Sequence, residues 1–174
     1  MARQSVLDIL STADDPRAAA LSNFSPFPFT LDGVACASME GFLQSLKTKD
    51  RETQLAVCQK SGKAAKKTFE GKRENRRWRL TGFLWWQGKG VFRYGRAYQS
   101  LLTRAYDALY ENPDFRKVLA ETYACRLKHS LGKKHKWQTV LTEKEFIAQL
   151  DRLRKWHFTD NPRFRIRLPE GKDE

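Results

Sequence analysis

Glu40, Gln44 and Lys47 stand at i, i+4 and i+7, a spacing that stacks a carboxylate, an amide and an ammonium along one face of a helix. A fixed carboxylate can stabilise the positive charge that develops on a sugar ring as a glycosidic bond breaks, and can orient a water for attack. The amide and ammonium, one and two turns along, are suited to hydroxyl or phosphate oxygens. The same spacing also describes a plain solvated face carrying a Glu/Lys pair.

The elements that must position this trio can be read locally. Met39, Phe42, Leu43 and Leu46 recur at i, i+3, i+4 and i+7, which predicts a helix over 39–47 with one apolar stripe. Ser38 is its expected N-cap. Gly41 costs such a helix about 1 kcal/mol against alanine, so it marks a place where another backbone or a ligand comes close. Upstream, Pro26 and Pro28 among phenylalanines forbid a helix, and Asp32-Gly33 predicts a turn joining strands at 27–31 and 34–36. Downstream, a helix is expected from Arg51 to about Lys60 with Leu55 and Cys58 inward, then a glycine-punctuated aromatic loop or strand pair over 80–92. Tyr98, Leu101, Leu102, Ala105 and Leu109 form a helical stripe; Asn112-Pro113 opens another helix, and Thr142 with Glu145 forms a capping box for the last long one. The fold class is therefore α+β: a mostly α-helical single domain with a small β element. It is divided into a lead over 1–20, a domain over 21–158 and a peripheral tail over 159–174.

At 174 residues, 40% of them apolar, the chain suits one globular domain rather than a disordered segment. No apolar run approaches the ~20 residues of a membrane span, and the amino terminus lacks the apolar stretch of a signal peptide. Three cysteines without a CxxC spacing are expected to be reduced core residues, and the expected location is cytoplasmic. The net charge of +13 speaks about partners: between Lys60 and Arg79 nine basic residues face only Glu70 and Glu74. A solvated face is the ordinary outcome of such a run, and a polyanion such as DNA or RNA is the functional one.

The segment from Leu21 to Lys47 is similar to the NADAR family, whose name reflects predicted links to NAD and ADP-ribose metabolism. The family pattern L-S-N-F, a proline, F-x-x-D-G and then S-x-E-H-x-x-Q-x-x-K is matched here. The matching residues are Leu21-Ser22-Asn23-Phe24, Pro26, Phe29, Asp32-Gly33, Ser38, Glu40, Gln44 and Lys47. Asn112-Pro113-Asp114-Phe115, Leu119 and Thr122 resemble a later family stretch, so the likeness covers roughly 21–122. Departures are equally specific: Gly41 replaces the usual histidine, Leu43 a common aromatic, and the family's D-x-x-W-G stretch is absent. What the resemblance implies is an N-glycosidase that hydrolyses the N–C1′ bond of an ADP-ribose or ribosyl-phosphate conjugate, among them ADP-ribosylated guanine in nucleic acid. It also implies no metal and no cofactor. Glu40 would be catalytic, with Ser22, Asn23, Phe24, Gln44 and Lys47 binding substrate.

Other residues complete the expected site. Trp85 or Trp86 is the candidate to stack on the departing base, and His129 could stand in for the missing acid. Arg93, Arg96 and Tyr98 alternate basic and aromatic groups, which suits a nucleotide or merely the start of a helix; Arg96 is retained as a candidate contact. Cys125, His129 and His135 lack the paired spacing and fourth ligand of a zinc site. Gly88-Lys89-Gly90 falls short of a P-loop, and no nucleophilic triad suggests itself. The alternative function is a non-catalytic module binding ADP-ribose or nucleic acid, with phosphates on the basic segment and bases on the two tryptophans.

Overall fold

The computed structural model describes residues 5–160; the expected tail over 159–174 lies outside them, apart from the backbone of its first two residues. Within these residues the order is β1 (Val6–Asp8), α1 (Pro16–Ala20), β2 (Phe29–Leu31), β3 (Val34–Cys36), α2 (Met39–Ser45), α3 (Arg51–Cys58) and α4 (Gly62–Lys66). There follow α5 (Arg73–Thr81), β4 (Phe83–Trp86), β5 (Lys89–Phe92), α6 (Arg96–Tyr110), α7 (Pro113–Glu121), β6 (Arg126–Lys128) and α8 (Glu143–Lys155). The fold is α+β, with helices around three two-stranded sheets. No helix among the described residues is long and apolar enough to cross a membrane.

Local chemistry accounts for most boundaries. Asp32 and Gly33 adopt φ of +49° and +79°, so the β2–β3 hairpin closes on a turn that favours glycine at its second position. Ser38 accepts a hydrogen bond from the Gly41 amide, and Asn112 accepts from the amides of Asp114 and Phe115. Thr142 and Glu145 complete the capping box of α8. The stripe of α6, with Phe115, Leu119, Phe146, Leu150 and Leu153, is buried and forms one core with Phe42, Leu43 and Leu46 of the α2 region. Cys36, Cys58 and Cys125 are buried free thiols.

Three features depart from the expectations or extend them. From the amino-terminal lead, β1 pairs in parallel with β6, and Leu7 and Ile9 enter the core. The inward face of α3 is Gln54, Val57 and Cys58; Leu55 is exposed. The basic segment keeps its lysines and arginines in solvent, Lys60 being half-buried, and is built as α4, a 3₁₀ turn and α5, anchored by buried Ala65, Phe69 and Trp78 and ended by Gly82 in the left-handed region.

Gln54 also explains how the β4–β5 hairpin sits on the body. Its amide nitrogen lies 2.8 Å from the Trp85 carbonyl and 3.2 Å from that of Ser45, while its oxygen accepts from the Gln87 amide. The Trp85 amide donates to Leu46 at 2.8 Å. Trp86 packs edge-on against Phe42 and donates from Nε1 to Asp32 at 2.9 Å. Burial would raise the Asp32 carboxyl, but hydrogen bonds from Trp86 and Arg104 hold it below its ordinary range.

Candidate active site

Every residue of α2 is buried, Glu40 and Gln44 included. A polar helix face hidden in this way is uncommon, because burying a carboxylate is costly unless it is paired. Glu40 is held from three sides. Its amide donates to the Asn23 carbonyl at 2.9 Å, Gln44 Nε2 donates to Glu40 Oε1 at 2.8 Å, and Lys66 Nζ lies 3.7 Å from the same oxygen. Asn23 is held in turn by the Tyr106 hydroxyl, which donates to its Oδ1 at 2.9 Å. The Ser22-Asn23-Phe24 turn is fixed by a bond from the Phe24 amide to Ser22 Oγ and another from the Gly62 amide to the Phe24 carbonyl.

The reason for Gly41 is now visible. A Cβ there would lie 2.4 Å from the Lys60 carbonyl oxygen and 3.0 Å from that of Cys58. The carboxyl end of α3 passes directly over α2, so the position accepts nothing larger, and the histidine of the family pattern has no room.

Glu40 opens into a cavity of about 390 Å³. It is lined by Ser22, Asn23, Phe24, Glu40, Gln44 and Lys66, and by the segment from Thr139 to Thr142 with Phe146. Leu10, Ser11 and Thr12, just after β1, line it too, as do His129, Leu131, Gly132 and Lys133 after β6. His129 Nδ1 sits 2.6 Å from the Ile9 carbonyl; since a carbonyl only accepts, that nitrogen carries a proton and Nε2 is left for other partners. Glu40 is the one acid lining the cavity among the described residues. Gln44 Oε1 is buried without a hydrogen-bond partner. Turning the amide over would face its oxygen to Glu40 Oε1, so the orientation is set.

The structure thus brings together Ser22, Asn23, Phe24, Glu40, Gln44 and His129 from the sequence-derived set. Lys47, Trp85, Trp86 and Arg96 do not line this cavity. Lys47 donates to Asn75 at 3.0 Å and borders a smaller hollow of about 190 Å³ with Trp78 and Trp85. Burial, then the nearby Lys66 charge, lowers its pKa to about 8 despite the pull of Glu40. Trp86 is core and Trp85 is half-buried on the outer face of the hairpin, with Lys49 Nζ 5.1 Å above its ring. Arg96 is exposed at the start of α6. Its neighbour Arg93 is fully buried, bridged to Glu145 at 2.6 and 2.9 Å and stacked on Tyr98, so that pair is a structural brace. Burial would raise the Glu145 carboxyl, but Arg93 and the Thr142 amide bring it down to about 2. Cys125, His129 and His135 do not converge, and among the described residues no three potential metal ligands cluster. Lys66, Lys133 and Thr12 had no local signal, since each reaches the cavity only through tertiary packing.

Comparison with known proteins now bears on this geometry. Residues 16–155 match the family model described as bacteriophage protein GP30.3. The chain belongs to that family, which is a NADAR domain. Within the GP30.3 family, it is similar to an uncharacterized 17.1 kDa protein of the Gp30-rIII intergenic region of Enterobacteria phage T4. The two are 40% identical over 137 residues, 78% of this chain and 88% of the relative. Its fold matches the NMR structure of the E. coli protein YbiA, a NADAR protein, with a TM-score of 0.57. That match has 16% identity over 89% of this chain and 86% of the other, a likeness of fold. The NADAR assignment agrees with the motif from Leu21 to Lys47, and the cavity is built on that motif.

Proposed function

We propose that the protein is an N-glycosidase that hydrolyses the N–C1′ bond of an ADP-ribose or ribosyl-phosphate conjugate. The observation that carries this reading is a buried carboxylate, Glu40, that lines a cavity together with Ser22, Asn23 and Gln44 of the same motif. A carboxylate beside the side chains of Ser22 and Asn23 suits the hydroxyls of a ribose. In hydrolysis the bonding electrons of N–C1′ leave with the base nitrogen, which takes up a proton, while C1′ gains oxocarbenium character. Glu40 stabilises that charge and accepts a proton from the water whose oxygen bonds to C1′. Lys66, whose ammonium lies 3.7 Å from Glu40, can protonate the leaving base or hold its phosphates, and His129 lines the same cavity with Nδ1 held on Ile9.

The presence of a single acid in the cavity favours a second reading, a NADAR-derived module that binds ADP-ribose without cleaving it. One experiment separates the two. Wild type and Glu40→Gln are incubated with ADP-ribosyl-guanine DNA, NAD, ADP-ribose and a phosphoribosyl-aminopyrimidine, and products are resolved by mass. Free base released by wild type alone supports the glycosidase and names its substrate class. Intact compounds, bound equally by both proteins, leave the binding module.

A further inference from the structure

A second surface inverts the usual order of burial. In β4 the side chains alternate, Leu84 and Trp86 inward, Phe83 and Trp85 outward. Across the hairpin Phe83 pairs with Phe92 and Trp85 with Gly90, where a Cβ would touch the Trp85 ring at 3.4 Å. The outward face is therefore a continuous aromatic sheet. Phe83 and Phe92 have ring centres 5.4 Å apart, Phe92 and Tyr94 5.3 Å apart, and these three are 47%, 45% and 46% exposed. Soluble proteins seldom leave contiguous rings open to water without a partner.

What surrounds these rings selects the partner. Lys49 lies over Trp85, and Arg77 borders the same hollow as Phe83 and Trp85. Helix α5, which runs into the hairpin through Gly82, carries Arg73, Arg76, Arg77 and Arg79, all exposed. Around the rings cations outnumber acids, with Lys47, Lys49 and Arg77 against Asp50 and Glu74 in the hollow and four exposed arginines along α5; cations beside flat rings are the chemistry of a single-stranded nucleic acid, phosphates on the arginines and bases on the rings. The patch also adjoins the cavity. Arg93, between Phe92 and Tyr94, donates to the Thr139 carbonyl of the cavity wall at 3.1 Å. Arg79 donates to Gln138 of the same segment, whose exposed Trp137 stacks with His135 near Lys133 and Lys136.

We infer that the outer face of the β4–β5 hairpin, with the arginines of α5, is a docking surface for single-stranded DNA or RNA. The surface stands apart from the reaction proposed above, because it uses none of the Glu40 cavity and is tested with unmodified strands.

The test is fluorescence anisotropy with a labelled oligothymidylate and with the same length of duplex. Wild type should prefer the single strand and release it steeply as salt rises. Phe92→Ala and Tyr94→Ala should each weaken single-strand binding about 5- to 150-fold, the equivalent of roughly 1–3 kcal/mol per stacked base. Arg76→Glu should lower the slope of log affinity against log salt by about 0.7 or more. Ultraviolet cross-linking of wild type to an iodouracil strand, followed by peptide mapping, needs no variant and should label the peptides carrying Phe83, Phe92 or Tyr94. Absence of single-strand binding at low salt, cross-links confined elsewhere, or ring variants that bind normally would overturn the proposal. So would a shift of those variants from oligomer to monomer with strand binding unchanged, which would assign the patch to a protein contact.

Discussion

The Glu40 cavity and the outer face of the β4–β5 hairpin break the same rule in opposite directions. In the first, a carboxylate and an amide are buried 6% and 2% exposed; in the second, three aromatic rings are nearly half in water. Either arrangement costs folding free energy, because buried polar groups want partners and exposed rings want cover. The two differ in how the cost is met. The cavity's polar groups are locked by Asn23, Tyr106 and Lys66, whereas the exposed rings of the hairpin lean on one another above a backbone pinned by Gln54 and Leu46. A reaction centre needs such over-determination, since small displacements ruin it. A docking face does not, since a strand adapts to it.

Substitutions can break or sharpen that contrast, and Glu40→Gln should do most. It keeps an acceptor for Gln44 Nε2 but removes the charge, so turnover should fall about 10²- to 10⁴-fold in a base-release assay. Single-strand affinity should stay within twofold, because Glu40 lies in the cavity and not on the hairpin.

The brace between the two regions comes next. Arg93→Met leaves Glu145, 12% exposed, without its guanidinium and should cost about 3–5 kcal/mol in chemical denaturation near neutral pH. The sign of the pH effect follows from the depressed carboxyl. Glu145 has a folded pKa of about 2 against an ordinary 4.5, so its stabilisation is complete above 4.5 and is lost as pH falls toward 2. The gap between wild type and Arg93→Met should narrow over that window, read from denaturation midpoints at successive pH values.

Gly41→Ala tests the packing beneath the carboxylate. Helix propensity alone would favour alanine by about 1 kcal/mol. The 2.4 Å approach to Lys60 should reverse that, with a net loss of about 1–3 kcal/mol in thermal melts and a displaced Glu40. The smallest effect is expected from Leu80→Lys beside the exposed rings. Leu80 is 86% exposed, so stability should change by less than about 0.5 kcal/mol while single-strand binding tightens modestly at low salt.

Much of this was legible locally. The β2–β3 turn, the caps at Ser38, Asn112 and Thr142, and the stripe of α6 rest on backbone preferences and helical period, which neighbouring residues set by themselves. Glu40 and Gln44 were placed on one face by the same period. Spacing could not say whether that face met water or the interior, because an i, i+4 pair looks alike in both settings. The two tryptophans failed for a related reason. Alternation along β4 sends Trp86 into the core and Trp85 to the outer face of the hairpin, so neither candidate for the stacking residue lines the cavity. The helix α5 was obscured by its charge: one buried residue, Trp78, leaves too little apolar period to read.

What the sequence by itself determined is most of the helices and the two hairpins, the NADAR motif from Leu21 to Lys47 and the excess of positive charge, all carried by short-range geometry and composition. Only the tertiary structure decided the rest. It brought Lys66 of α4 within 3.7 Å of Glu40, set His129 against Ile9, and closed the cavity with segments about a hundred residues apart. It laid α3 over Gly41 and turned one face of the hairpin, aromatic and ringed by arginines, toward solvent. Contacts of that kind arise from burial and packing between distant segments, and no local spacing encodes them.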